Sequence, residues 1–578
     1  MKGISAPANA ATISVAETLS LLDGPFSELA TGLAQKRYAL WLGSGISRDR
    51  LDDLKGVISR VLVHLHERAD FADADDKYAR ALRKAISLAQ LSEDELKIYN
   101  PTEPISAWKL LPTILDRLRN NYAKLLDIPI DGQPSDFLLW DVVNVAKTYA
   151  DPAVTPDCEH LCVALLAIEG GLANIASANW DGLIEAAVSN LSSHSADILR
   201  VCVRSEDFRM PGLRARLLKF HGCAIRAAAD PTNYRQLLIG RQSQITSWPE
   251  DSTVAVMRQQ LVSLATLSPT LMIGLSAQDL NIQQVFIKGQ ATMGWVWPSH
   301  PPAYIFAEDQ LGSDQSTLLQ CVYREHYSHH REDIEAAAQI RAFAKPLLLA
   351  LVLHFLWQKL YAFASHALAP QFQAVDHSAV QSGLRYLRDQ IAKSAEPDRL
   401  AFVKLLIENS RHGVGMFRHG KATTSGDYSP ISIQPIDQIA GDPNLHISGL
   451  PEAAFSLGVL GAGWATGKWH LEREDHTLPK AGAMRITPIP LNVPQRLFFV
   501  VNSESALQLH LNGLIAPDEP DAILLYSTPP VARQPRSPRS APGRTGALHT
   551  REVDLRSIIK EARSFDELQQ RFCEEAVL

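Results

Sequence analysis

The sequence predicts an α/β protein in which a mostly parallel sheet carries a helical insertion and is followed by a mixed α+β C-terminal domain. Three observations predict this architecture. Short runs that are apolar throughout alternate with helix-sized segments, which is typical of strands buried on both faces of a parallel sheet. The region 51–171 shows almost only helical periodicity. Beyond Pro430, strand-like pieces alternate with loops before a final helical stretch.

The chain length indicates more than one domain. At 578 residues the chain is too long for a single ordinary core. We expect a first domain at residues 1–325, with the insertion at about 51–171, and a second domain at 326–578. The segment 527–547 is rich in proline and arginine and nearly free of large apolar residues, so it predicts a mobile loop. Contact of its arginines with nucleic acid phosphates stays open as a weaker alternative.

Composition excludes several classes of protein. The chain is 46% apolar and 21% charged, as in ordinary globular proteins, and its net charge of -7 gives no general attraction to nucleic acid or anionic membranes. Six cysteines are scattered along the chain without a CxxC pair, which excludes a four-cysteine zinc ribbon and favours reduced thiols. We therefore expect a cytoplasmic protein with no bound metal.

The most apolar stretch predicts a core helix. It runs from Pro346 to Leu368 and is interrupted by His354 and by Gln358-Lys359, so it falls short of the roughly 18 consecutive apolar residues that a membrane span needs. The N-terminus also lacks the continuous apolar segment of a secretory signal. We expect no membrane association.

The elements of the first domain follow in order. The helical pattern PFSELATGLAQKR leads into the strand YALWLG, and Ser92 with Glu95 forms a capping box inside the helical insertion. Gly170-Gly171 ends the last helix of that region. The strand-like runs after it are LANIASANWD, ADILRVCV, RARLLKFHG, YRQLLIG, PTLMIGLS and PPAYIFAE. Strands alternating with helices in this way predict a Rossmann-like sheet.

The second domain begins with helices and ends with mixed structure. Helical patterns cover 332–420, and RLFFVVN and DAILLYS read as strands. The glycine-rich stretch Gly458–Trp469 has tryptophan where a phosphate-binding loop needs Ser or Thr after its lysine. We therefore expect that stretch to be a packing segment with bends.

Polar residues and glycines follow four of the predicted strands. The carboxyl ends of parallel strands meet at one edge of a sheet, where such folds bind nucleotides. We expect these residues to converge there. They are Gly43, Ser44 and Gly45; Asn179 and Asp181; His221; and Ser276 with Asp279.

The residue types suit chemistry at a nucleotide. A glycine loop lets backbone N–H groups approach an anion, although a tight turn explains one such loop equally well. An asparagine amide can position a water molecule, and a histidine can accept a proton near neutral pH. His221 alone would be interpreted as a satisfied core histidine; its combination with Asn179 and Asp181 favours a site.

The motifs resemble those of the sirtuin family. GSGIS is similar to the sirtuin GAGIS loop, SANWDGLIEAA to TQNIDGLHERA, KFHG to the catalytic histidine-glycine pair and IGLSAQD to the GTS loop. The resemblance covers Tyr38 to Phe306 and is specific in the NxDGL and HG elements.

The resemblance implies a role for each matched residue. Gly43, Ser44 and Gly45 would hold the NAD pyrophosphate, Asn179 and Asp181 the nicotinamide ribose and carboxamide, and His221 would act as a base. Ser276 would contact the adenosine side, with Asp279 beside it.

Departures from sirtuin deacylases narrow the expected activity. RDRLDDLKG follows the glycine loop where deacylases have GIPDFR-like residues, and a helical insertion stands in place of the zinc ribbon. The chain therefore resembles bacterial sirtuin-like effectors of anti-phage immunity, which hydrolyse NAD to nicotinamide and ADP-ribose. This resemblance implies NAD as substrate and no metal.

Activation and partners are also implied by the resemblance. We expect the C-terminal region or a partner protein to control the activity, and the chain to form homo- or hetero-oligomers. The expected partner is a sensor from the same operon: a short Argonaute, a HerA-type ATPase or an inosine-triphosphatase-like protein. Two alternatives stay open: a non-catalytic module that senses NAD or ADP-ribose and recruits a partner, and an NAD-dependent protein deacylase.

Overall fold

The computed structural model describes most of the chain. The described residues are 9–210, 214–368, 371–423, 426–475, 478, 480–489, 491–516, 519–528 and 550–578. The loop predicted at 527–547 lies outside them from residue 529 onward.

The first sheet is parallel throughout. Its strands are β1 (Ala39–Leu42), β2 (Asn174–Ser177), β3 (Leu199–Cys202), β4 (Ala215–Lys219), β5 (Thr270–Ile273), β6 (Tyr304–Ala307) and β7 (Gln339–Ile340). The spatial order is β3-β4-β2-β1-β5-β6-β7. Every residue of β1, β5 and β6 is buried, because helices cover both faces of the sheet. The predicted Rossmann-like α/β fold is confirmed.

Helices surround this sheet. They are α1 (Val15–Asp23), α2 (Ser27–Ala34), α3 (Leu54–Arg68), α4 (Lys77–Leu88), α5 (Glu93–Ile98), α6 (Leu111–Arg119), α7 (Tyr122–Leu126), α8 (Val145–Tyr149), α9 (Cys158–Ile168), α10 (Leu183–Leu191), α11 (Ser195–Ile198), α12 (Ala224–Ala229), α13 (Pro231–Tyr234), α14 (Gln242–Ser247), α15 (Ala255–Leu267), α16 (Leu280–Thr292), α17 (Ser313–Tyr323) and α18 (Glu325–Ala338). A π-helical turn, Leu138–Val142, precedes α8. The predicted capping box of Ser92 and Glu95 starts α5.

Alternate strand residues point into two separate cores. On β1, Ala39 and Trp41 pack with the helices of the insertion, whereas Leu40 and Leu42 pack with α1, α2 and α9. This alternation follows from the two-residue period of a strand. The helices α3 to α8 therefore cover one face of the sheet, and α9, which the sequence places within the insertion, lies on the opposite face.

In the first sheet, one predicted strand is wrong and one strand was missed. YRQLLIG forms no strand: Arg235–Leu237 is a 3₁₀ turn, and the Ile239 N–H donates to the carbonyl of His221 at 3.0 Å. Leu237, Leu238 and Ile239 are apolar because they pack into the core beside the insertion. β7 has only two residues, too few to produce a periodic pattern.

The C-terminal part has a mixed sheet of its own. Its strands are β8 (Trp469–Glu472), β9 (Met484–Pro488), β10 (Gln495–Val500), β11 (Ala522–Tyr526) and β12 (Arg551–Asp554), in the order β12-β11-β10-β9-β8. β10, β11 and β12 are parallel, and β9 is antiparallel to β8 and β10. The predicted mixed α+β structure is confirmed.

Eight helices accompany the second sheet within the described residues. They are α19 (Ala344–Ala367), α20 (Ala374–Lys393), α21 (Arg399–His419), α22 (Leu445–Ser448), α23 (Leu450–Ala465), α24 (Ser503–Leu511), α25 (Leu555–Glu561) and α26 (Phe565–Ala576). The domain boundary at residue 325 stays a prediction, although the first sheet continues beyond it to β7.

The apolar helix α19 joins the two parts. Among the described helices it alone is long and apolar enough to cross a membrane, but 72% of its most apolar window is buried inside the protein. Leu347 to Phe355 pack in the core of the first sheet, whereas Trp357 and Phe363 pack with the C-terminal elements. The prediction of a buried core helix is confirmed.

The glycine-rich stretch that begins at Gly458 is helical up to Ala465, so the expected bends are wrong and the expected packing role is right. A Cβ on Gly461 would lie only 2.1 Å from the carbonyl oxygen of Gly383 in α20. The glycines therefore let the backbones of α20 and α23 touch.

Candidate functional site

Four loops leave the first sheet at the same level. Leu42 of β1 is aligned with Ser177 of β2 and with Ile273 of β5, and Ser177 is aligned with Lys219 of β4. β2, which follows β1 in the chain, lies on one side of β1 in the sheet. β6, which follows β5, lies on the opposite side, so the direction of the strand order reverses between β1 and β5. In such sheets ligands bind outside the carboxyl ends of the strands at this reversal. We call the region bounded by the loops after β4, β2, β1 and β5 the crevice.

The glycine loop after β1 packs against the loop after β5. A Cβ on Gly43 would lie 2.3 Å from the Gly274 carbonyl oxygen, and one on Gly45 would lie 2.5 Å from the Gly274 Cα. The N–H groups of Gly43 and Gly45 donate to Ile273 and Gly274, each at 3.1 Å. The contact between these two loops thus requires glycine even without a ligand. The N–H groups of both glycines already donate to carbonyl oxygens at the end of β5 and in the loop after it. Ser44, by contrast, is exposed and begins a 3₁₀ turn that ends at Ser47.

Ser47 connects this turn to the loop after β2. Its Oγ lies 3.0 Å from Asp181 Oδ2, and the Asn179 amide nitrogen lies 3.4 Å from Ser47 Oγ. The predicted residues Asn179 and Asp181 are therefore brought together, and Ser47 stands between them. Each of the three is at most 7% exposed. Sequence reasoning missed Ser47, which lies only two residues beyond the glycine loop.

His160 also contacts Ser47. It is fully buried in the first turn of α9, and its Nε2 lies 3.1 Å from Ser47 Oγ. Burial lowers the pKa of the His160 imidazole, although Asp181 and Asp157 act in the opposite direction. The ring is accordingly neutral at physiological pH. The sequence indicated only a buried helix face here, because nothing local relates His160 to a loop 113 positions earlier.

The carbonyl oxygen of the Asn179 side chain is an unused acceptor. Asn179 Oδ1 is buried and has no hydrogen-bond partner among the described residues. The Asn179 backbone N–H donates to Ser177 Oγ at 3.1 Å, which holds the residue in place. Since buried polar atoms are nearly always paired, an orphaned acceptor at a strand end is the kind of atom that a ligand or a water satisfies.

His221 lies on the same edge, two residues beyond β4. It is buried, and its Nε2 lies 3.0 Å from the Asn281 amide nitrogen. Burial lowers the pKa of His221, whereas the negative charge of Asp279 opposes this shift. The imidazole is thus held neutral. Asn281, at the start of α16, is a second residue that the sequence motifs did not single out.

Ser276 and Asp279 follow β5 on the same edge of the sheet. Ser276 is exposed, and Ala277 beside it has a φ of 57°. Both oxygens of Asp279 accept from the Tyr122 hydroxyl of the insertion, at 3.0 and 3.1 Å. Burial raises the pKa of Tyr122 well above its usual value, so the phenol keeps this proton. Asp279 is therefore bound to the insertion through Tyr122, and its charge also acts on His221.

A buried lysine holds the Asn179–Asp181 loop. Lys219 Nζ donates to the carbonyl oxygen of Asp181 and forms an ion pair with Glu185 at 2.9 Å. Burial alone would lower the pKa of Lys219, but Glu185 and the neighbouring Cys223 and Asp181 raise it above its ordinary value. The ammonium group thus contributes a positive charge directly behind the loop.

Two cavities lie outside this group of residues. The larger, of about 320 Å³, lies between the π-helical turn and the segment after β4. It is lined by Ser135, Asp136, Leu139, Trp140, Pro231, Thr232, Arg235, Gln236, Leu238, Arg241 and Gln244. A second, of about 200 Å³, is lined by residues of α2 and by Arg37, His300 and Pro301. None of the predicted site residues lines either cavity.

No family model matches this chain, and no curated protein matches it. Among the residues that the structure describes, no group of three or more His, Cys, Asp or Glu side chains is arranged to hold a metal ion.

Proposed function

We propose that the protein hydrolyses NAD+ to nicotinamide and ADP-ribose and acts in the cytoplasm as a sirtuin-like, NAD-depleting effector of bacterial anti-phage defence. The observation that carries this proposal is the buried, unpaired Asn179 Oδ1, which lies beside Asp181 on the edge that also holds a neutral His221. A water or a ribose hydroxyl would satisfy that oxygen.

The residue types match the steps of the reaction. The bond between nicotinamide and ribose breaks with its electron pair moving to the nicotinamide nitrogen, and positive charge develops on the sugar. The carboxylate of Asp181 would stabilise this charge in a site from which water is largely excluded. A water oriented by Asn179 Oδ1 then forms the new bond to the anomeric carbon, and its proton passes to the neutral imidazole of His221.

Two features support an enzyme that stays inactive until a signal activates it. The Asn281 amide faces His221 Nε2, so this ring nitrogen is free to accept a proton only after that contact is broken. Moreover, Lys345 near the start of α19 forms ion pairs with Asp49 and with Asp157, the latter at 3.2 Å, while the far end of α19 packs in the C-terminal core. A change in the C-terminal part would then reach Asp157, which contacts His160, through α19. The trigger would come from an operon-encoded sensor of one of the three expected classes, acting on a homo- or hetero-oligomer.

Release of nicotinamide from purified protein tests this function. Asn179→Ala and His221→Ala should abolish release, measured with and without the products of neighbouring genes, while the far-ultraviolet circular dichroism stays that of the wild type. The exposed residues Asn233 and His326 provide matched control variants, Asn233→Ala and His326→Ala, that should retain full activity. Unchanged release by Asn179→Ala and His221→Ala would exclude the proposed site.

A non-catalytic sensor is the second candidate. It is favoured by the engagement of His221 Nε2 with the Asn281 amide, since a sensor needs no free base. NAD or ADP-ribose recovered intact and in stoichiometric amount after prolonged incubation would support the sensor over the hydrolase.

A further inference from the structure

We infer that His160 controls the orientation of the Asn179 amide through Ser47. The effect of this orientation on catalysis rests on the proposed NAD hydrolysis. His160 is thus a positioning residue: it touches Ser47 and Asp157, and it acts on the reacting groups only through Ser47.

The direction of each hydrogen bond follows from its donors. The backbone N–H of Asp157 donates to His160 Nδ1 at 3.1 Å, so this nitrogen carries a lone pair. In a neutral imidazole the proton is then on Nε2, and Nε2 donates to Ser47 Oγ. The Ser47 hydroxyl has a single proton and gives it to the carboxylate oxygen Asp181 Oδ2 at 3.0 Å.

These directions decide how the Asn179 amide lies. Since the Ser47 proton is used on Asp181, Ser47 Oγ faces Asn179 only as an acceptor, and the Asn179 NH₂ group must point towards it. The other amide atom, Oδ1, is thereby turned away from Ser47 and left without a partner. Without the donor at position 160, the Ser47 hydroxyl loses one of its constraints and can rotate towards Asn179.

The position of His160 suits this role. It lies in the first turn of α9, where Asp157 caps the helix and accepts from the Cys158 N–H at 2.7 Å. The same Asp157 forms an ion pair with Lys345 of α19. The start of α9 therefore holds the imidazole at Nδ1, and Nε2 donates its proton to Ser47 Oγ.

Substitutions at position 160 separate orientation from simple packing. His160→Leu removes the donor and keeps a similar volume; it should lower kcat for nicotinamide release by about 10- to 100-fold with KM little changed, as expected for misplaced catalytic groups. His160→Gln supplies an N–H donor again and should recover most of the activity. Val163→Ala, a buried change on the same helix, should lower Tm without lowering kcat.

A double-mutant cycle tests the route through Ser47. Ser47→Ala should lower kcat, and His160→Leu in that background should cause no further loss, because the two residues act through one hydrogen bond. Losses that multiply in the double variant, or unchanged kcat in His160→Leu, would overturn the inference.

The tautomer of His160 can be determined independently of enzymatic activity. In protein with ¹⁵N-labelled histidine, the His160 ring, identified by its disappearance in His160→Gln, should be protonated only at Nε2 near pH 7.5. A ring protonated at Nδ1 or at both nitrogens would refute the inference even if NAD is never cleaved. Lack of nicotinamide release by the wild type would instead count against the proposed function, and the tautomer would still judge the inference.

Discussion

His221 Nε2 and Asn281 Nδ2 lie 3.0 Å apart although they follow β4 and β5, which are separated in the sheet by β2 and β1. At the usual spacing of neighbouring strands, the two parent strands are roughly 14 Å apart. The loops after β4 and β5 must therefore reach over the ends of the two strands between them. The contact between His221 and Asn281 thus joins the loops on either side of β2 and β1.

Asn281→Asp should move the pH dependence of nicotinamide release. A carboxylate beside the imidazole stabilises the charged form and raises the pKa of His221, whereas burial lowers that pKa in the native protein. The base form is then reached only at higher pH, so the acidic limb of the pH–rate profile shifts to higher pH. Asn281→Ala, which adds no charge, is the control. Identical profiles for Asn281→Asp and Asn281→Ala would contradict this assignment of His221 as the base.

Gly45→Ala should destabilise the fold even without ligand. The added Cβ would meet the backbone of Gly274 at 2.5 Å, and neither loop can move without disturbing a strand end. We expect a loss of about 1–3 kcal/mol in the free energy of unfolding, measured by urea denaturation. Gly413→Ala is the matched control, since its Cβ meets nothing within 4 Å and helices favour alanine. Equal stability of both variants would show that the loops do not require this contact.

Glu159→Gln should stabilise the protein only at higher pH. Burial raises the pKa of Glu159 to about 7, Asp157 and Asp49 add to this, and Lys345 opposes it. Since the folded-state pKa exceeds the unfolded one, the protonated carboxyl favours folding most below pH 4.5, and this contribution is lost as pH rises through 7. Relative to wild type, the variant should therefore gain up to about 3 kcal/mol between pH 4.5 and 8. Unfolding curves at both pH values measure the gain, and a difference that does not depend on pH would argue against a buried ionisable Glu159.

Lys359→Met should strongly destabilise the junction of the two parts. Lys359 Nζ lies 2.7 Å from Glu169 Oε2 and also donates to the Ser432 carbonyl, and both charged groups are buried. Loss of the lysine leaves the Glu169 carboxylate buried without its counter-charge, which typically costs about 3–5 kcal/mol.

Calorimetry or urea denaturation would measure this loss. The double variant Lys359→Met/Glu169→Gln should recover part of the stability, because it leaves no isolated charge. If Lys359→Met alone is as stable as wild type, the pair contributes nothing to holding the parts together.

Much of the fold is readable in the local pattern. The runs that became β1, β2, β5 and β6 are apolar throughout because both faces of the sheet are covered, and that requirement is visible in the residues themselves. The same pattern misled at Leu237 to Ile239, which are apolar because they fill a core beside the insertion and not because they form a strand. Local hydrophobicity reports burial, and it does not by itself report the partner that buries a residue.

By itself the sequence determined the position of most strands of the first sheet, and it located Asn179, Asp181 and His221 just beyond strand ends. Only the tertiary structure decided that β1 lies between β2 and β5, that the glycines of the first loop serve a contact with Gly274, and that Ser47, His160 and Asn281 belong to the site. The physical reason is that helix and strand periodicity arise from neighbours along the chain. The site depends instead on hydrogen bonds between residues more than fifty positions apart, whose donors and acceptors leave no periodic trace.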